Sequence, residues 1–152
     1  MLFRSIDFIV SDHSPCTPNL KLLHSGDLKN AWGGISSLQF SFSLIWTESL
    51  SRNVKLDKLS QLMSHNPAIF CGLDHRKGLI APGYDADVFV FAPEAEFELR
   101  REKIFHKHPE TPYMGKKLRG QVLRTYLGGE VVFDDGNFPG EARGKPILKE
   151  LK

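Results

Sequence analysis

The chain is short of several things, and each shortage removes a class of protein. It has only two cysteines, Cys16 and Cys71, with no metal-type spacing between them. That excludes a disulfide scaffold and the paired-cysteine zinc motifs, and reduced thiols are expected. No apolar run approaches the roughly 18 residues that a membrane-spanning helix requires. Met1-Leu2-Phe3-Arg4-Ser5 lacks the charged start and long apolar segment of a signal peptide, so an intracellular protein is expected. Neither sign of charge dominates: 20 basic and 18 acidic residues leave a formal charge of +2, and the basic residues are scattered. No nucleic-acid partner and no membrane partner follow from this balance. A phosphate loop, a dinucleotide fingerprint and a nucleophile elbow are all missing. No internal repeat or low-complexity segment stands out.

What is there fits a globular chain of 152 residues, 41% hydrophobic and 25% charged. Ile6 to Val10 reads as a short buried strand, broken by Ser11-Asp12-His13-Ser14-Pro15. Pro15 cannot continue a ladder, so Asp12 falls at the strand's C-terminal tip. Two readings of Asp12 follow: a turn-capping residue, or a catalytic carboxylate of the kind that parallel α/β barrels carry there. A loop from Pro15 to Gly34 follows, with a helical turn near Leu20 to His24 and the run Trp32-Gly33-Gly34 at its end. Ser36 to Ser51 predicts a helix with Leu38, Phe42, Ile45, Trp46 and Leu50 in its apolar stripe, capped by Ser36 or Ser37. Leu56 to Ser64 predicts a second helix. Asn66-Pro67 starts a third, which ends at Gly72.

The character changes near Asp74 to Lys77. Beyond it lie a turn-rich stretch from Gly78 to Asp87 and a strand Val88 to Phe91 that Pro93 ends. A short strand around Phe97 and Leu99 follows. Gln121 to Leu127 alternates cleanly, and Gly128-Gly129 between two strand patterns signals a hairpin into Val131-Val132-Phe133. Asp134 to Lys152 reads as an extended tail. Residues 1–76 and 77–152 therefore form two units, the first mainly helical and the second mainly β.

The titratable residues alone do not complete a site. His106-Lys107-His108 would put two imidazoles on one face of a strand, but it lies in a charged, Pro-rich loop without an evident third ligand. A free aspartate has a pKa near 3.9 and bulk water one of 15.7, so a lone aspartate is a poor base for water. Bound metal ions that lower the water's pKa to about 7 would close most of that gap.

Ser11-Asp12-His13-Ser14-Pro15-Cys16 followed by Lys29-Asn30-Ala31-Trp32-Gly33-Gly34-Ile35 resembles the C-terminal third of allantoinases. These are cyclic amidohydrolases of the amidohydrolase superfamily. Gly78 to Val88 resembles the segment that leads from the barrel into a small β-sandwich in that superfamily, and Thr111 to Gly115 extends the match. The resemblance implies an α/β fold: the last strand and following helices of a (β/α)8 TIM barrel, plus part of the sandwich. It implies hydrolysis of the hydantoin ring of allantoin to allantoate in purine catabolism, at two divalent metal ions, zinc first among them. The implied ligands are a His-x-His pair, a carboxylated lysine, two further histidines and the aspartate ending the eighth strand. Only the last has a counterpart, Asp12, as metal ligand and proton shuttle. Ser14 and Gly33 would bind substrate, and His13 matches the motif without being a ligand.

A homotetramer is implied for the full-length enzyme, in the cytoplasm, with peroxisome and mitochondrion as other compartments. A barrel takes about 250 residues, so this chain is expected to be a fragment or an incomplete gene product, inactive alone. The alternatives are a non-catalytic amidohydrolase-like scaffold, or a cyclic amidohydrolase acting on dihydropyrimidines, hydantoins or dihydroorotate.

Overall fold

A computed structural model describes residues 6–148. Met1 to Ser5 and residues 149–152, the last of the expected tail, lie outside them. The fold is mixed α/β: a helical segment and a three-stranded antiparallel sheet.

The expected strand at Ile6 to Val10 is not formed. The segment runs without a ladder, tied by the Ile9 N–H to the Leu62 carbonyl at 2.9 Å. Ile6 and Val10 are exposed. A strand is stable only with neighbours on its edges, and the sequence pattern of an apolar run says nothing about whether they are present.

The first turn of helix after it is a 3-10 helix, Pro18–Lys21, which begins at Pro18 where the sequence suggested Leu20, because Pro18 fits a first helical position. The main helix opens with a 3-10 turn, Leu38–Phe40, and becomes α1 at Ser41–Ser51. Its buried line is Ser43, Trp46 and Ser49, while Leu38 is exposed. The stripe thus differs from the expected one. Two serines occupy it because the helix backbone lies close to the sheet. Neither Ser36 nor Ser37 caps the helix; the Ser37 hydroxyl donates to the Ser11 carbonyl at 3.0 Å instead. The next two helices are continuous. α2 (Leu56–Ser60) passes through a π turn, Gln61–His65, into α3 (Asn66–Cys71), which stops at Gly72 as expected. Asn66 lies inside this run, and its side chain donates to the Asp7 carbonyl at 2.5 Å.

The sheet has the order β1 (Val88–Glu98), β2 (Lys117–Leu127), β3 (Glu130–Asp134). Pro93 does not end the first strand. It falls in an irregularity between Ala92 and Glu96, so the two expected strands are one. The β2–β3 hairpin turns on Gly128-Gly129, with Leu127 opposite Glu130 and φ of +58° and +85°. Two positive φ values make the tight loop that twisted strands prefer.

α1 docks on β2 where glycine leaves room: a Cβ on Gly120 would lie 2.5 Å from Trp46 Cδ1. The Ser43 hydroxyl donates to the Gly120 carbonyl at 2.7 Å, and Trp46 Nε1 donates to the Pro93 carbonyl at 3.0 Å. Beside this contact lies the core of Phe40, Leu99 and Leu118, with Leu44, Phe97, Ile104 and Tyr113 packed on it.

The Gly78 to Asp87 stretch returns the chain to the hairpin through charge. Lys77 pairs with Asp85 at 2.8 Å and with Asp87, and Arg76 pairs with Asp85 at 2.8 Å. The second Asp87 oxygen accepts the Gly128 N–H at 2.8 Å. Lys77 and then Arg76 hold the Asp85 carboxyl below the usual carboxylate range. Lys77 and then the Gly128 N–H do the same for Asp87. Folded values below the unfolded ones stabilise the fold fully above about pH 4, and that stability is lost as pH falls through the folded values. Lys77, raised by Asp85 and Asp87, contributes below its unfolded value of about 10.4 and loses the contribution as pH rises through the folded one. Exchange protection of the hairpin amides, corrected for intrinsic rate, is therefore expected to be level from about pH 5 to 9 and to drop below about pH 4. In Asp87→Ala the hairpin is expected to lose about 1.5 kcal/mol, the low end for a bond to a charged group, since the pair is part-exposed. Asp87→Ala should also lose part of the acid dependence, the rest staying with Asp85, which keeps Lys77 and Arg76.

Candidate active site

The residues singled out in the sequence meet at two apposed loops. The Ser14 N–H donates to the Ile35 carbonyl at 2.9 Å, and His13 and Ile35 form a parallel bridge. This joins the Asp12-His13-Ser14 run to the Trp32-Gly33-Gly34 run. Gly34 backs directly onto Ser14, with φ +80° and a position where a Cβ would lie 2.5 Å from Ser14 Cβ. Any side chain there would meet both an unfavourable backbone and a wall. Asp12 sits at the head of the bridge with φ +43°, a left-handed conformation that Asp tolerates better than most residues. Its side chain is exposed.

His13 fastens this loop to α1. Its Nδ1 accepts the N–H groups of Ser37 at 3.1 Å and Leu38 at 3.2 Å. These are amides at the start of the helical segment that have no carbonyl partner within it. The imidazole therefore does the capping that the sequence assigned to Ser36 or Ser37. Two donors on Nδ1 put the imidazole hydrogen on Nε2. The sequence left the partner of His13 open, and no local signal would have given it, since Ser37 is 24 residues away.

His106 stands edge-on to His13, ring centroids 5.1 Å apart. Its Nδ1 is 2.9 Å from the His108 carbonyl, and its Nε2 is buried without a hydrogen-bond partner. Burial pushes the His106 imidazole below its ordinary range. His106 and His108 are thus joined side chain to backbone.

Among the described residues, no three His, Cys, Asp or Glu side chains gather as a metal cluster. A two-metal centre takes several donors held at once, and here one exposed carboxylate stands on the loop. These residues do not by themselves fit such a centre.

A cavity lies beside these loops. It measures about 1030 Å³ and is lined by aromatic rings, among them Phe42, Phe89, Phe105 and Phe133, and by His13 and His106. Asp12, Ser14 and Gly33 do not line it. The cavity shares His13 with the apposed loops and carries further polar side chains, Lys103 and Thr125 among them; the loops form the candidate site because Asp12, Ser14 and Gly33 stand on them.

The sequence profile of the amidohydrolase family matches residues 5–132. The chain belongs to the amidohydrolase family. Members of that family are typically metal-dependent. A probable allantoinase of Oryza sativa subsp. japonica is 43% identical over 150 residues, 97% of this chain and 29% of the rice protein. Probable allantoinase 2 of Dictyostelium discoideum is 44% identical over 138 residues, 88% of this chain and 27% of that protein. The chain thus spans less than a third of the length of the curated relatives it matches. A solved D-hydantoinase (dihydropyrimidinase) from Thermus sp. superimposes with a TM-score of 0.80 at 28% identity, over 90% of this chain and 30% of the other.

Proposed function

We propose that this chain supplies the Asp12 loop of an allantoinase-type site, one that opens the hydantoin ring of allantoin to give allantoate. The similarity to allantoinases over nearly the whole chain is the observation that carries the reading. The apposition of the Asp12 and Trp32-Gly33-Gly34 loops supports it. In this reading residues 1–76 belong to a (β/α)8 barrel and residues 77–152 to a small β-sandwich. The site holds two divalent metal ions, zinc first among them. Asp12 is one ligand, and the other donors come from residues outside this chain.

The roles of this chain's residues follow from their chemistry. Ring opening of a cyclic amide moves a proton from the attacking water to the departing nitrogen. A carboxylate at a loop tip can accept that proton and hand it on, which suits Asp12. The Ser14 hydroxyl and the Gly33 backbone lie on the two apposed loops and would hold the ring. The chain alone is inactive in this reading, because it lacks the rest of the donor set.

The likeness to the Thermus D-hydantoinase favours a second substrate class, simple hydantoins or dihydropyrimidines, with the same bond broken. A chimera tests both. The matching 29% of the rice relative is replaced by this chain, and ring opening is assayed with allantoin, hydantoin and dihydrouracil. Allantoate formation well above the other two products is the expected result. Preference for hydantoin or dihydrouracil would support the second reading. A folded chimera inactive on all three would overturn both and leave a non-catalytic role.

A further inference from the structure

We propose that Lys21 is a positioning residue that sets the backbone of the Trp32-Gly33-Gly34 loop. Its Nζ donates to three successive carbonyls: Trp32 at 3.1 Å, Gly33 at 3.2 Å and Gly34 at 2.6 Å. An ammonium group has three hydrogens and no lone pair, so this carbonyl set uses its whole donor capacity. The chain between them is short of other restraints. Among the described residues, the Trp32 N–H donates to the Leu20 carbonyl at 2.8 Å, and the Ile35 carbonyl accepts the Ser14 N–H at 2.9 Å. Two glycines in sequence would otherwise leave this stretch with the widest conformational choice of any in the loop.

Three carbonyls turned to one cation fix the opposite side of the loop as well. In a trans peptide the N–H points away from the C=O of the same unit. With the Trp32 and Gly33 carbonyls on Lys21, the N–H groups of Gly33 and Gly34 face away from it. The loop then offers two adjacent backbone donors, the complement of a carbonyl oxygen on a cyclic ureide. That purpose rests on the function proposed above; the positioning itself does not. The cation also brings residue 21 against residues 32–34, so the loop from Pro15 to Gly34 is closed at its base. Gly34 is thereby seated on Ser14, and Ile35 on His13.

Amide hydrogen exchange of the 152-residue chain at low concentration, without substrate or metal, tests the inference apart from activity. The reporters are the Ser14 and Trp32 amides, and the β2–β3 hairpin amides are the internal reference. Lys21→Met keeps the stem and removes the donors. It is expected to speed exchange at both reporters by about tenfold while the hairpin is unchanged. Lys21→Arg, which keeps a cation and several donors, is expected to restore both to within about threefold. Unchanged reporters in Lys21→Met would overturn the proposal, and so would failure of the arginine to restore them with the hairpin intact. Should the methionine variant lose the hairpin too, acylation of the unmodified chain decides. Lys21 is expected to react about fivefold more slowly than Lys29, its ammonium being held by three carbonyls. Equal rates would overturn the assignment.

Discussion

In the chimera with the rice relative, Asp12→Asn is expected to lower turnover by about 10²- to 10⁴-fold, the range that positioned acid–base groups contribute. The substitution is chosen because it changes little else. Asparagine matches aspartate in size, and it tolerates the left-handed backbone that Asp12 adopts at φ +43°. Within this chain the side chain is exposed, and in the chimera the asparagine carbonyl oxygen can still face the metal that Asp12 is proposed to hold. What disappears is the ability to take a proton and return it. Thermal stability is therefore expected to hold while the rate collapses. A variant retaining more than about half of the parent rate would remove Asp12 from the chemistry. The capping reading would then stand.

Trp46→Ala is expected to cost about 3–5 kcal/mol of stability, the usual range for emptying a large aromatic site. Trp46 is 9% exposed and ties α1 to both long strands. It packs on Phe91, ring centroids 5.6 Å apart, and stacks with Phe42 at 6.4 Å. Its Nε1 donates to the Pro93 carbonyl, at the point where β1 leaves its register with β2. Truncation empties the space over Gly120 and leaves that carbonyl without its partner. Collapse of the helix onto β2 is limited, because the Ser43 hydroxyl already holds the Gly120 carbonyl at 2.7 Å. Chemical denaturation followed by circular dichroism measures the loss. A change below about 1 kcal/mol would mean that α1 is not docked on the sheet through this residue.

The parts of the fold that were legible in the sequence are those fixed by a few neighbouring residues. Gly128-Gly129 between alternating strands predicts the hairpin because the turn needs two positive φ values. Gly72 stops a helix for a similarly local reason. The larger failures are long-range. The apolar run Ile6 to Val10 has strand composition, but a ladder also requires edges, and among the described residues the run is met by the Leu62 carbonyl on Ile9 and the Asn66 side chain on Asp7. Pro93 breaks a strand on its own terms. Here an irregular pairing with β2 absorbs it, and its carbonyl goes to Trp46. The helix cap was assigned to the nearest serines, and His13 took it from 24 residues away.

The site divides in the same way. Spacing placed Asp12 in a break after an apolar run and could not choose between turn and catalysis. The resemblance to allantoinases joined Ser14 and Gly33 to it. The structure brings those two loops together through Ile35 and Gly34. Lys21 carried no signal, since a single lysine in a polar loop is ordinary in composition and its three acceptors are all backbone.

The central claim is that this chain holds one carboxylate of a site whose remaining donors lie outside it. The most direct measurement is elemental analysis of the purified 152-residue chain together with an allantoate assay, with and without added zinc, beside the chimera. The chain alone is expected to hold no stoichiometric metal and to give no allantoate above background, while the chimera gives both. Two metal ions per 152-residue chain with measurable turnover would contradict the claim.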